Sequence, residues 1–285
     1  MAPLPPLSRR GLLGALGATL LVAGCGETQP DKTGAPTRSG DGLTQIAYAT
    51  EHPDQYGVLG LPTGTPRGLA VLVHGGYWYA EYGAGLMDQM AEDLRGRGYA
   101  TWNIEYRRIG GGGGYPETFE DVAAAFDQTA DLGLPTGIPT FSIGHSAGGH
   151  LAAWAASRTS ATPGGAPKAS VATTISLSGV LDLTSAADEQ LGGGAAINLM
   201  GGRPAKDPEE YALADPAELV PAKGRVIAVH AEDDQLVPLD QSTTYVKLAV
   251  AAGGQAELVK VPGGHFDLID TGSDAWKKIV ALLPV

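Results

Sequence analysis

Residues 138–158 read IPTFSIGHSAGGHLAAWAASR, and this stretch constrains the fold more than any other. The apolar run 138–144 has the length of a buried strand, and residues 150–158 have a helical pattern. Only Gly144-His145-Ser146-Ala147-Gly148-Gly149 is left to turn the chain from one element into the other. A turn that sharp admits only tiny neighbours, a need that Gly144 and Gly148 meet. Ser146 then projects from the tip, at a helix N-terminus whose dipole favours negative charge.

The rest of the chain supplies the sheet that such a turn requires. Strand-like runs fall at 45–51, 56–62, 69–74, 99–106, 138–144, 170–179, 226–231 and 256–263. Helical patterns fall at 85–98, 119–133, 150–158, 239–254 and 274–284. Apolar strands alternating with helices indicate an α/β fold, a mostly parallel sheet of about eight strands with helices on both faces. The first two runs alternate polar and apolar residues, as an antiparallel edge does. A chain of 285 residues is near the upper size for one core, so one catalytic domain over 45–285 is expected. Residues 185–222 break the rhythm with LGGG and LMGGRP, and are expected to form a small cap over one side of the site, with short helices near DPEEYAL.

The N-terminus reads differently. Ser8-Arg9-Arg10 precedes the apolar run 11–24, too short to span a bilayer but of the length of a signal h-region. The Arg9-Arg10 pair suits twin-arginine export. The run ends in Val22-Ala23-Gly24-Cys25, which resembles a bacterial lipobox; Cys25, the only cysteine, would carry the lipid. Residues 1–25 are therefore expected to be a lipoprotein signal peptide. Residues 26–44, rich in Gly, Pro, Thr and Asp, are expected to be a flexible linker. The expected location is the outer face of a bacterial membrane, reached only through the lipid. A net charge of −12 argues against nucleic acid as a partner.

A serine hydroxyl needs a base to act as a nucleophile, and the base needs an orienting carboxylate. In an elbow of this type the order along the chain is serine, acid, histidine. Glu232-Asp233-Asp234 follows the strand 226–231. Asp234 is chosen because it opens Asp-x-x-Val-Pro; Asp233 competes one residue away. His265 lies in the Gly-rich loop after the last strand, and it alone of the six histidines satisfies both order and loop position. His74 is expected to be a structural hydrogen-bonder. Acyl transfer also needs backbone donors for an oxyanion. Ala147 follows the nucleophile, and His74-Gly75-Gly76-Tyr77 follows the strand 69–74. Gly76 and Tyr77 are the leading donors there, with Gly75 beside them. Tyr77 and Trp78, and His145 beside the serine, are the residues expected at the substrate pocket; core packing is the alternative for the two rings. No metal or organic cofactor is implied, since no His or Cys cluster has ligand spacing. The run Gly111–Gly114 lacks the Lys-Ser/Thr of a phosphate loop, and reads as a flexible loop near the site.

Together these residues resemble the α/β-hydrolase fold over nearly all of 45–285. HGGYW (74–78), YRR (106–108) and GHSAGGHLAAW (144–154) are similar to the kynurenine formamidase branch and to the related feruloyl-esterase and carboxylesterase branch. The resemblance implies a serine hydrolase acting on a small-molecule ester or amide. Export favours extracellular esters over tryptophan breakdown, which is cytosolic. The expected function is thus an exported carboxylic-ester hydrolase working through Ser146, His265 and Asp234. The alternatives are an arylformamidase or small peptidase and, in another class, a non-catalytic ligand-binding lipoprotein.

Overall fold

The structure, a computed structural model, describes residues 37–39 and 42–284. The expected signal segment 1–25, with Cys25, lies outside the described residues. Among these residues nine strands form one sheet: β1 (Thr37–Ser39), β2 (Leu43–Ala47), β3 (Tyr56–Gly60), β4 (Leu69–Val73), β5 (Ala100–Ile104), β6 (Thr140–His145), β7 (Thr173–Leu177), β8 (Arg225–Ala231) and β9 (Ala256–Val261). Their order is β1-β2-β3-β5-β4-β6-β7-β8-β9. From β5 to β9 all neighbours are parallel, while β1, β2 and β3 add an antiparallel edge. The expected eight strands are all present. The ninth, β1, falls in the stretch read as a linker, and β2 starts at Leu43 within that same stretch. Pairing of β1 with β2 is made by backbone groups, which need no hydrophobic period to announce them.

Among the described residues eight α-helices flank the sheet: α1 (Asp88–Gly96), α2 (Glu117–Asp127), α3 (Ala147–Ser157), α4 (Leu183–Asp188), α5 (Leu191–Met200), α6 (Pro208–Ala214), α7 (Asp240–Ala251) and α8 (Asp274–Val280). Strand residues alternate between two cores, as the pleat requires. Val71 and Val73 of β4 join the core formed with α2, α3 and α4–α6. Ala70 and Leu72 join the core formed with α1 and α8. The α7 helix packs Tyr245 and Ala249 on Val226 and Ala228 of β8. The elements α4–α6 occupy the expected cap segment.

The register brings the parallel strands to a common C-terminal edge. Val73 lies opposite Gly144, His145 opposite Leu177, Leu177 opposite Val229, and Ala231 opposite Val261. Every loop carrying a candidate catalytic residue therefore leaves the sheet on one side, where open α/β sheets hold their ligands.

Candidate active site

Ser146 sits between β6 and α3 with φ 56° and ψ −121°, a conformation that ordinary side chains avoid. Its surroundings explain the glycines. A Cβ on Gly144 would strike the Gly148 carbonyl, and one on Gly148 would strike the carbonyls of Val73 and His74. The serine N–H donates to the Leu177 carbonyl at 2.9 Å, which ties the tip to the end of β7.

Asp234 and His265 come together as the chain order requires. His265 Nδ1 lies 2.7 Å from Asp234 Oδ2, and both side chains are almost wholly buried. Asp234 Oδ1 accepts from the N–H groups of Leu236 and Val237 at 2.8 and 2.9 Å. Burial alone would raise the Asp234 pKa. Hydrogen bonds from His265, Val237, Ser178 and Leu236 outweigh it and hold the carboxyl below the usual carboxylate range. Asp233 is exposed, and its N–H is used by the Gly263 carbonyl.

Of the expected pocket residues, two are placed otherwise. Trp78 is buried, its indole N–H donating to His150 Nδ1 at 3.2 Å, with the rings edge to face. Those contacts make it a core residue, the alternative noted for it. His145 is also buried: its Nε2–H donates to the His265 carbonyl at 3.0 Å, and the two rings lie 4.4 Å apart. It ties the loop of His265 to the end of β6 instead of facing a substrate. Burial, then the neighbouring His265, lowers its pKa to about 3, so the ring stays neutral. Tyr77 remains partly exposed, and a Cβ on Gly192 in α5 would strike its ring. Asn198 of the same helix donates to the Tyr79 hydroxyl at 2.7 Å. The cap segment is thus seated on the aromatic loop. The α5 helix enters through Gly192, Gly193 and Gly194 at φ 59°, 71° and 85°, left-handed values that suit glycine.

The loop after β4 is held from below. His74 is buried as a structural hydrogen-bonder, with Nδ1 2.8 Å from the Gly75 carbonyl and Nε2 2.9 Å from Glu105 Oε1. The E-Y-R-R run therefore has a mechanical role. Glu105 and Tyr106 hold His74, Arg107 makes a two-point pair with Asp121, and Arg108 reaches Asp54 at 2.8 Å. Gly111 and Gly113 both donate to the Arg108 carbonyl, and Tyr115 donates to the Leu199 carbonyl of the cap. The glycine run is thus a tightly wrapped loop under the cap, not the loose one its composition suggests. Ser178, Glu105 and His150 are the supporting residues that sequence reasoning missed. Ser178 alone had a visible cue, as a small residue in the SLSG that ends β7.

The family model BD-FAE matches residues 61–248, from just after β3 into α7. The chain belongs to the BD-FAE family. This is an esterase family of α/β-hydrolases, and the chain is a serine hydrolase. Among solved structures it is similar to a "Truncated form of carbohydrate esterase from gut microbiota", at 20% identity and TM-score 0.71, covering 86% of this chain and 96% of that one. Esterase Est2 of Thermogutta terrifontis is similar at 20% identity and TM-score 0.66, covering 85% and 90%. The same esterase phosphoramylated by tabun matches at 20% identity and TM-score 0.66, covering 86% and 93%. These likenesses concern the fold. Among curated proteins no sequence matches the chain.

Proposed function

We propose that this member of the BD-FAE family cleaves carboxylic esters through an acyl-enzyme formed on Ser146. The observation that carries the reading is the 2.7 Å contact of His265 with an ionised, nearly water-free Asp234, on the edge of the sheet where the Ser146 turn projects. In the first step Ser146 Oγ bonds to the carbonyl carbon as its proton passes to His265 Nε2. The C–O bond to the alcohol breaks, and His265 returns that proton to the leaving oxygen. Water then repeats the sequence, releasing the acid and free Ser146. Asp234 holds the imidazole by Nδ1, and the N–H groups of Gly76, Tyr77 and Ala147 receive the oxyanion.

The leaving oxygen takes its proton from His265, so the alcohol half of the ester passes over that residue. Phe266 is 62% exposed there, with its ring edge-on to His265 at 5.3 Å. A ring so placed suits an alcohol with an apolar face, such as a sugar, and a carbohydrate esterase is among the similar structures. Labelling with a fluorophosphonate probe tests the nucleophile. The expected result is rapid labelling, lost in folded Ser146→Ala together with turnover of 4-nitrophenyl acetate. Persistent labelling would move the nucleophile elsewhere.

The second part of the reading is location: an exported lipoprotein held at the outer membrane face by Cys25. It is supported by the Arg-Arg, apolar and VAGC sequence of residues 9–25. Cys25→Ser should move the protein from the membrane pellet to the soluble fraction of the producing bacterium. Unchanged pelleting of that variant would remove the anchor.

A further inference from the structure

Two of the three donors expected to hold the oxyanion, the N–H groups of Gly76 and Tyr77, lie on adjacent peptide planes, and each of these planes is pinned by its carbonyl. A trans peptide sets its C=O and N–H pointing opposite ways. The Gly75 carbonyl accepts from His74 Nδ1 at 2.8 Å, which turns the Gly76 N–H of the same plane the other way. The Gly76 carbonyl accepts from the Tyr79 N–H at 3.0 Å, which turns the Tyr77 N–H in the same manner. Among the described residues neither the Gly76 nor the Tyr77 N–H has a protein acceptor.

One of those pins is backbone and needs no further support. The other is a histidine ring, which could rotate. It is stopped at its far side, where Nε2 meets Glu105 Oε1 at 2.9 Å. Tyr106 stacks on the ring, centroids 4.3 Å apart and planes within 10°, and donates its hydroxyl to the His74 carbonyl at 2.8 Å. Glu105 is itself held in place. Its Oε2 accepts from Ala84 N–H at 2.9 Å, and its Oε1 accepts from Tyr106 N–H at 3.1 Å and lies 3.4 Å from Arg108 Nη1. Burial pushes its pKa up, but hydrogen bonds from His74 and Ala84 and the Arg108 charge bring it below the ordinary value.

We propose that Glu105 is a positioning residue for the ester-cleaving reaction: through His74 it locks the Gly75–Gly76 peptide plane so that the Gly76 N–H faces the developing oxyanion. The proposal rests on the reading of Ser146 as nucleophile and Gly76 as donor. Glu105 touches no substrate. Its effect is on the transition state, because the oxygen becomes a strong acceptor only there.

The test measures kcat and KM for 4-nitrophenyl acetate in the purified protein, with urea midpoints recorded beside them. Glu105→Gln is expected to lower kcat about ten- to a hundredfold with KM within about twofold, a fraction of what losing a whole donor costs. A role in stability alone would move the midpoint and leave kcat of the folded enzyme unchanged, and that outcome overturns the proposal. His74→Asn sets an amide nitrogen where Nδ1 was, and His74→Gln sets one where Nε2 was. If the Gly75 carbonyl is what matters, His74→Asn retains several-fold more kcat than His74→Gln. On the His74→Asn background, Glu105→Gln should add no further loss. Multiplied losses in that double variant would show the two residues acting separately and would also overturn the proposal. Should Glu105→Gln not fold, equal kcat for the two His74 variants serves as the refutation. Ser146→Ala labelled in parallel keeps the underlying reading separate: label retained there removes the nucleophile, whatever the Glu105 variants do.

Discussion

Asp234 has little contact with water, yet it is held as a carboxylate. Four hydrogen bonds reach it, from His265, Ser178, Val237 and Leu236, and each favours the charged form. Three of them come from its own loop or from His265. The Ser178 hydroxyl comes from the end of β7, where φ of 42° turns the serine into the site. Ser178→Ala should therefore lower kcat about three- to tenfold at nearly constant KM, the scale of one ordinary hydrogen bond. Full kcat in that variant would mean that the remaining bonds suffice. The sharp turn at Ser146 and the pairing of His265 with Asp234 were legible from the sequence because they are dictated by glycine and by chain order, both visible in one chain. Ser178 and Glu105 were not, because their roles depend on neighbours 56 and 31 residues away whose approach only the register of the sheet creates. Trp78 was misplaced for a related reason. An aromatic after two glycines reads as a pocket wall until its N–H is found on His150.

At the scale of elements, the apolar runs were legible because a parallel strand buried on both faces must be apolar along its length, as LAVLV of β4 is. The helices were legible where one face is apolar. Their ends were less so: α3 starts at Ala147, three residues before its apolar pattern, because the elbow's own glycines are helical. The cap was recognised as a departure from rhythm, but its seating was not. That depends on a left-handed glycine turn whose bare Cα at Gly192 fits the Tyr77 ring. The five non-glycine residues with positive φ are Tyr77, Trp78, Ser146, Ser178 and Gln190, among the described residues. Four follow β4, β6 or β7 at the site edge, and the fifth begins the turn into α5. Backbone strain is thus concentrated in the loops that carry the candidate donors and the candidate nucleophile, while the sheet beneath them is regular.

For the whole molecule, the buried titratable groups set the response to acid, and they pull in opposite directions. His150 accepts from Trp78 at Nδ1 and donates to the Ala214 carbonyl from Nε2, so it is satisfied only as a neutral ring, and burial lowers its pKa to about 4. His145, at about 3, behaves alike. The unfolded chain protonates both near the ordinary histidine value, so it binds more protons than the fold as pH drops below about 6.5. Between pH 7 and 4 these two groups remove roughly 6 kcal/mol of stability. Asp215 has the reverse sign. It is buried beside the N–H groups of Thr184 and Ala217, and burial raises its pKa to about 6. The fold therefore takes up a proton before the unfolded chain does, and between pH 6 and 4 it gains about 2 kcal/mol. Asp234 adds little in this window, because its stabilisation is lost only as pH falls below the unfolded carboxylate value. The expectation is a fall in the urea midpoint from pH 7 to pH 4, and a steeper fall in Asp215→Asn, which keeps the histidines and loses the opposing carboxyl. Whatever fixed offset the substitution adds, the gap between wild type and variant should widen in favour of wild type as pH drops from 6 to 4. A gap that stays constant over that range would show that Asp215 does not titrate there.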